Sequence, residues 1–207
     1  FRSNRINNLK IKDILKHPNW RMGKKISVDS STMINKVFEI IEAKNIFKIK
    51  LDKLSILVHP KSYVHAILSF NDGMIKIIAH ETTMEIPIFN SVYNDEEINF
   101  LSKDINIDKI NNLDLSKIDK KKFPLIKILS MIPDKISLFE TVLVSANDEL
   151  VSLYLNKKIK YIDISKILLK TLNLNEFTRY KKIKPKKISD IIRLDKYVRL
   201  KINAKSV

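Results

Sequence analysis

No cysteine occurs in the 207 residues, which excludes a disulfide framework, a zinc–thiolate site, an iron–sulfur cluster and a cysteine nucleophile. A reducing compartment fits. The metal ligands that remain are oxygen and nitrogen, which suit hard divalent ions such as Mg2+ or Mn2+. Glycine is nearly as scarce, with only Gly23 and Gly73, so no Gly-rich dinucleotide fingerprint follows a strand anywhere. Arginine supplies 6 of the 39 basic residues and lysine the other 33. Bidentate recognition of bases and phosphates prefers arginine. The net charge of +16, scattered along the chain without interleaved aromatics, therefore reads as solvated surface, and no nucleic-acid partner is expected. No apolar run approaches the roughly 18–20 residues of a membrane span, so no membrane partner is expected either. The opening Phe1-Arg2-Ser3-Asn4-Arg5 lacks the apolar core of a signal peptide. A start on Phe reads as a fragment or a processed product.

What is present suits a globular chain, with 44% hydrophobic residues spread throughout. Residues 1–13 are polar and basic. His17 to Lys25 carries turn chemistry and two large side chains, Trp20 and Met22. Asp29-Ser30-Ser31-Thr32 offers N-cap residues for an unbroken helix to about Phe47. Leu54–Val58 is a strand candidate, and Val64–Phe70 and Met74–Ala79 flank Asn71-Asp72-Gly73, a strong hairpin signal. From about Asn94 to Lys122 the pattern dissolves into a connector with room for a short strand. Helical periodicity returns near 124–131, 136–156 and 163–173, the last capped by Asp163, and again over 187–202 after the basic stretch Tyr180–Lys187. The expected class is α+β. A small sheet packs on the 30–47 helix within a catalytic domain of residues 1–95, followed by a connector (96–122) and a C-terminal helical bundle (123–207).

At about 100° per residue, Asn35, Lys36, Glu39 and Glu42 fall within an arc of roughly 120° of the 30–47 helix, opposite Ile34, Val37, Phe38, Ile40 and Ile41. With Ser30 and Ser31 at its N-terminus, where free N–H groups favour an anion, that polar face suits a phosphate and a divalent ion or sugar hydroxyl. Taken alone it equally suits a capped surface helix with an internal Lys36–Glu39 pair. His17, Trp20 and Met22, just upstream, suit a lid.

The run His17-Pro18-Asn19-Trp20-Arg21-Met22-Gly23-Lys24-Lys25-Ile26-Ser27-Val28-Asp29-Ser30-Ser31-Thr32-Met33-Ile34-Asn35-Lys36, continued by Glu39-Ile40-Ile41-Glu42-Ala43, resembles the signature of the 1-deoxy-D-xylulose 5-phosphate reductoisomerase family. The resemblance resumes at Val58-His59-Pro60-Lys61-Ser62-Tyr63-Val64-His65 and at Asp72-Gly73, and echoes at Phe123–Lys127 and Leu143–Asp148. It implies that Ser30, Asn35 and Lys36 contact a phosphosugar, and that Glu39 ligates Mn2+ or Mg2+. It further implies that His17 and Trp20 close over the substrate, that Gly23, with Met22, approaches NADPH, and that Ser62 lies near the phosphate. Glu42, His65 and Met84 would support the site. The implied reaction rearranges deoxyxylulose phosphate and reduces the resulting aldehyde with NADPH to methylerythritol phosphate, in isoprenoid precursor synthesis. A homodimeric parent in the cytoplasm, or in a plastid-type organelle, goes with it.

Two parts of the family's pattern are absent, the cofactor-binding domain and an Asp-x-Glu pair of metal ligands that precedes Phe1, so this chain alone is expected to be inactive. After the hairpin, Thr82-Thr83-Met84-Glu85-Ile86-Pro87 stands where the family usually carries Pro-Asp-Met-Arg-Thr-Pro. The competing readings are a non-enzymatic basic interaction or nucleic-acid-binding protein, and a diverged phosphosugar enzyme.

Overall fold

Isoleucine, leucine and valine recurring at three- and four-residue intervals, separated by Asn, Lys and Pro, dictate a chain rich in helix. A computed structural model describes residues 11–15, 23–93, 104 and 106–206. The elements in order are α1 (Ile11–Ile14), α2 (Lys24–Thr32), α3 (Ile34–Phe47), β1 (Leu57–Val58), β2 (Val64–Ser69), β3 (Ile75–Ala79), α4 (Glu85–Val92), α5 (Ile107–Asn111), β4 (Ser116–Lys117), α6 (Phe139–Leu155), α7 (Tyr161–Leu172), α8 (Asn175–Thr178) and α9 (Ile188–Ser206), with 3-10 turns at Leu51–Lys53, Pro124–Met131 and Arg179–Lys182. The class is α+β.

The described residues group into two units, one holding 11–15, 23–55 and 119–206, the other 56–93, 104 and 106–118. The centre of the first is α6, buried over most of its surface, with Phe139, Val142, Leu143, Ala146, Leu150 and Val151 in the core. It packs against α2, α7 and α9. Those neighbours present matching stripes: Ile164, Leu168 and Leu172 on α7, and Leu194, Val198 and Ile202 on α9. On α3, Ile34, Val37, Ile40 and Ile41 are covered from the 124–131 turn, where Leu125, Ile126 and Ile128 are buried. Each fully buried Leu or Ile contributes roughly 1.5–3 kcal/mol, against about 0–1 for an exposed ion pair, so the apolar stripes hold this unit. The contacts therefore divide the chain differently from boundaries near 95 and 122. Helices α2 and α3 are grouped with the C-terminal helices because their apolar faces are met by α6 and by the 124–131 turn.

The helix expected without a break over 30–47 is two helices. Met33 adopts the left-handed region (φ 62°) and its N–H donates back to the carbonyls of Asp29 and Ser30. The local cause is the run of hydroxyl residues before it: Ser31 Oγ donates to Val28 O (2.7 Å) and Thr32 Oγ1 to Asp29 O (3.1 Å), competing with continued helix. Ser30 and Ser31 thus close α2 rather than open α3. Asp163, expected to begin a helix as its cap, instead lies in the first turn of α7, where its Oδ2 accepts the N–H of Lys160, the residue that caps the helix, at 2.9 Å.

In the second unit β2 and β3 form the expected antiparallel hairpin, paired from Val64↔Ala79 to Ser69↔Ile75 with a bulge between Val64 and Ala66. Gly73 takes φ 87°, which a side chain would oppose, and Asp72 Oδ1 accepts the Met74 N–H at 2.9 Å. Strand β1 pairs antiparallel with β4, which is the short strand anticipated in the connector. Helix α5 is tied in by Lys109, whose Nζ lies 2.7 Å from Glu81 and 5.4 Å from the centre of the Tyr63 ring.

Candidate functional site

The polar side of α3 brings three of the sequence-derived residues together. Lys36 Nζ donates to both oxygens of Glu39, at 2.9 and 2.7 Å, and Asn35 Nδ2 reaches Glu39 Oε1 at 3.4 Å. The i, i+3 and i, i+4 spacing makes these contacts automatic on a helix. The Lys36 and Glu39 side chains remain 40% and 52% exposed, so the pair adds little stability and both groups stay available to a ligand. Asn35 Oδ1, by contrast, is buried and has no hydrogen-bond partner among the described residues. A buried acceptor left open costs free energy, and a hydroxyl from a bound molecule would satisfy it. Glu42, one turn further along, is exposed.

Ser30 sits half-exposed in the last turn of α2. The other three hydroxyl residues of that helix, Ser27, Ser31 and Thr32, donate to main-chain carbonyls. The Ser30 hydroxyl makes no such bond among the described residues. Its neighbour Asp29 is almost fully buried (2% exposed), accepting from Asn147 Nδ2 at 2.9 Å and paired with Lys25 Nζ at 2.9 Å. Burial pushes the Asp29 carboxyl above its ordinary range, against the opposing pull of Asn147 and Lys25. Burial depresses Lys25, but its bonds to Asp148 and Asp29 outweigh that and leave it raised. Gly23 precedes α2 in an extended conformation, and a Cβ there would meet nothing within 4 Å. Glycine at this position is thus unneeded by the packing of the described residues.

Ser62, His65 and Met84 belong to the second unit. Ser62 is a non-glycine in the left-handed region (φ 51°) with its N–H bonded to His59 O at 3.0 Å, the kind of backbone strain that concentrates at binding sites. His65 stacks on His80 with ring centroids 3.6 Å apart and planes 3° from parallel. Met84 is exposed and precedes α4. Where the family pattern has an acid, the Thr83 hydroxyl accepts the Glu85 N–H at 3.3 Å, and Met84, the residue that precedes α4, supplies no side-chain cap. His17, Trp20 and Met22 lie outside the described residues.

Sequence reasoning missed the environment of Ser30. Asp29 is read there as a cap, whereas it is a buried carboxylate held by α6, and Tyr161, whose hydroxyl donates to Ser31 Oγ at 3.2 Å, carries no local signal at all. His59 was likewise passed over, although neither of its buried ring nitrogens has a hydrogen-bond partner among the described residues.

For a divalent ion, the test is the donor set. Among the described residues no group of three His, Cys, Asp or Glu side chains converges, and both Glu39 oxygens face the Lys36 ammonium. The described residues therefore offer one carboxylate ligand and no complete metal site.

Comparison with known proteins matches these features to one family. The family model described as "DXP reductoisomerase C-terminal domain" covers residues 80–201, and that of the "1-deoxy-D-xylulose 5-phosphate reductoisomerase C-terminal domain" covers residues 1–47. The 1-deoxy-D-xylulose 5-phosphate reductoisomerase of Pelagibacter ubique is 56% identical over 200 residues, 97% of this chain and 52% of that protein. The enzyme of the same name from a Sulfurihydrogenibium species is 37% identical over 173 residues, 83% of this chain and 46% of its own. The chain spans about half the length of the curated relatives it matches. A crystal structure of DOX-P reductoisomerase in complex with NADPH, fosmidomycin and magnesium superposes with a TM-score of 0.89 at 28% identity, covering 98% of this chain and 50% of that one. The Zymomonas mobilis reductoisomerase in complex with NADPH gives 0.82, also at 28% identity, covering 98% of this chain and 51% of that one. With a family model spanning more than half its residues, this chain belongs to the DXP reductoisomerase C-terminal domain family.

Proposed function

We propose that this chain is the phosphosugar-binding part of an NADPH-dependent reductoisomerase that converts 1-deoxy-D-xylulose 5-phosphate to 2-C-methyl-D-erythritol 4-phosphate. The observation that carries the reading is the α3 cluster: an ammonium, an amide with an unsatisfied buried acceptor, and a carboxylate within one helical turn. Lys36 would bind the phosphate or a nearby hydroxyl, Asn35 would supply its open Oδ1 to a sugar hydroxyl, and Ser30 would donate its uncommitted hydroxyl. Glu39 would release Lys36 to the substrate and serve as one ligand of Mg2+ or Mn2+. That ion would polarise the hydroxyketone as a Lewis acid. The chain's own contribution is orientation, because α3 presents all three groups from one rigid face. Ser62 would lie near the phosphate, with Glu42, His65 and Met84 in support. His17 and Trp20 would cover the substrate and exclude water, and Met22 and Gly23 would meet the nicotinamide cofactor.

In this reading residues 1–95 carry the substrate-facing groups, 96–122 connect, and 123–207 form the supporting helices. A nucleotide-binding domain, the remaining metal ligands and a homodimeric partner complete the enzyme, in the cytoplasm or a plastid-type organelle. This chain alone should not oxidise NADPH.

The test is NADPH oxidation with deoxyxylulose phosphate and Mn2+ in a protein joining this chain to its cofactor domain, with Glu39→Gln alongside. A folded Glu39→Gln protein should lose on the order of 100-fold or more in kcat, as removal of a metal ligand requires, and a chelator should abolish turnover in the parent. Wild-type turnover unaffected by Glu39→Gln would refute the assignment of Glu39.

A further inference from the structure

The turn that carries Ser30 is not fixed by its own helix alone. Both sequence neighbours of Ser30 are gripped by side chains from distant helices. Asp29 takes the Asn147 amide of α6, 118 positions away, at 2.9 Å, and Ser31 takes the Tyr161 hydroxyl of α7, 130 positions away, at 3.2 Å. Residues 29 and 31 stand about 100° to either side of Ser30 around the helix axis, so the two bonds bracket its side chain and set its direction. Asn147 is fully buried and Asp29 nearly so, where a hydrogen bond is strong and a lost one is costly. The Asp29 and Ser30 carbonyls also accept the Met33 N–H at the left-handed turn, and α3 starts at the next residue. The position of Asp29 therefore also sets the direction in which Asn35, Lys36 and Glu39 are presented. Ser31 passes its own hydroxyl to Val28 O at 2.7 Å, so Tyr161 holds a bond chain running back into α2.

We infer that Asn147 and Tyr161 are positioning residues that hold the Ser30 turn, and with it the start of α3, in register for the phosphate of the substrate. The inference rests on the phosphosugar reading above. Its consequence is specific: loosening either bond should weaken phosphate binding before it affects cofactor binding, because neither residue belongs to the cofactor-facing stretch.

The experiment uses the completed enzyme and five variants. Tyr161→Phe removes a single oxygen and leaves the ring in place, so it keeps the fold. Asn147→Ala removes the amide, and the exchange Asp29→Asn with Asn147→Asp reverses donor and acceptor. Asn203→Ala is the control, breaking the 2.7 Å bond from α9 to Glu149 on α6, far along the chain from Ser30. Measured are kcat, KM for deoxyxylulose phosphate, KM for NADPH, the inhibition constant of inorganic phosphate, and Tm. Tyr161→Phe and Asn147→Ala should raise the substrate KM and the phosphate inhibition constant together by about fivefold or more, with the NADPH KM within about twofold. The exchange should bring both constants back towards wild type, and Asn203→Ala should lower Tm without moving either. If Tyr161→Phe and Asn147→Ala lower Tm but leave both constants within about twofold, the residues are structural only and the inference is overturned. Ser30→Ala separates this from failure of the phosphosugar reading. Unchanged constants in that variant, or no turnover in the parent, overturn the substrate assignment and the positioning role together.

Discussion

Tyr154 and Tyr161 meet edge to face with ring centroids 5.9 Å apart, yet their hydroxyls are in opposite situations. Tyr161 spends its O–H on Ser31. The Tyr154 hydroxyl is buried with no hydrogen-bond partner among the described residues, and burial, with Tyr161 and Asp13 nearby, pushes its pKa up to about 12. It is therefore a neutral phenol at any physiological pH, with an unmet donor. Removing an unsatisfied buried group relieves a penalty, so Tyr154→Phe is expected to leave stability unchanged or raise it by up to about 1 kcal/mol. Tyr161→Phe should instead cost about 0.5–1.5 kcal/mol. Urea denaturation of the two variants distinguishes them, and a Tyr154→Phe loss above about 1 kcal/mol would reveal a bond to a group other than the described residues. The same logic explains what was legible residue by residue. Asn35, Lys36 and Glu39 lie within one turn of helix, so their meeting follows from periodicity alone. The bond from Asn147 to Asp29 crosses 118 residues and leaves no local trace.

Local signals located the hairpin and the long C-terminal helices, but left α2 and α4 unread, drew β1 too long and missed the break at Met33. Asn71-Asp72-Gly73 named its hairpin because the turn needs a residue tolerant of positive φ and a short side chain that bonds its own backbone, and Gly73 and Asp72 do both. The break at Met33 was illegible because methionine carries no turn signal. Its left-handed conformation follows from hydroxyl back-bonding and from the packing of α2 on α6, which no window of sequence contains. Helix α9 was placed to within a few residues by its apolar period, and its start rests on Asp190, whose Oδ2 accepts the Lys186 and Lys187 N–H groups, both at 3.1 Å. Those two backbone bonds hold the exposed Asp190 carboxyl below its ordinary range. A depressed carboxyl stabilises the fold above its unfolded pKa, and that contribution disappears as pH falls through the folded value. Acidification below the ordinary carboxylate range should therefore fray the first turn of α9, seen as lower protection of the 188–192 amides relative to their intrinsic exchange rate at each pH. Asp190→Asn should show lower protection already at neutral pH and lose the acid dependence of that protection. An acid response unchanged in that variant would place the effect elsewhere.

At the scale of the whole molecule the question is what the charge does. With 39 basic against 23 acidic residues, the surface must attract polyanions to some degree, most densely at the basic stretch Tyr180–Lys187. Several of the buried or half-buried basic side chains are already committed: Lys25 to Asp29 and Asp148, Lys44 to Pro133 O and Glu140, Arg199 to Asp148, Glu149 and Asp195. No described helix is long and apolar enough to cross a membrane. Exposed lysines bind through released counterions, a term that falls steeply with salt, whereas a phosphate bound as proposed by Ser30 and Lys36 would gain from directed hydrogen bonds that salt weakens less. Binding of a single-stranded oligonucleotide is thus expected to be measurable at about 50 mM salt, to fall by at least on the order of 100-fold by about 200 mM, and to be identical in wild type and Glu39→Gln. Inorganic phosphate inhibition of the completed enzyme should weaken by only a few-fold over the same range, and should respond to Ser30→Ala. Fluorescence anisotropy at three salt concentrations decides it. Oligonucleotide binding that survives at about 0.5 M salt, well past the screening of exposed charges, would mean a built nucleic-acid surface and would make the basic-interaction reading the better account of this chain.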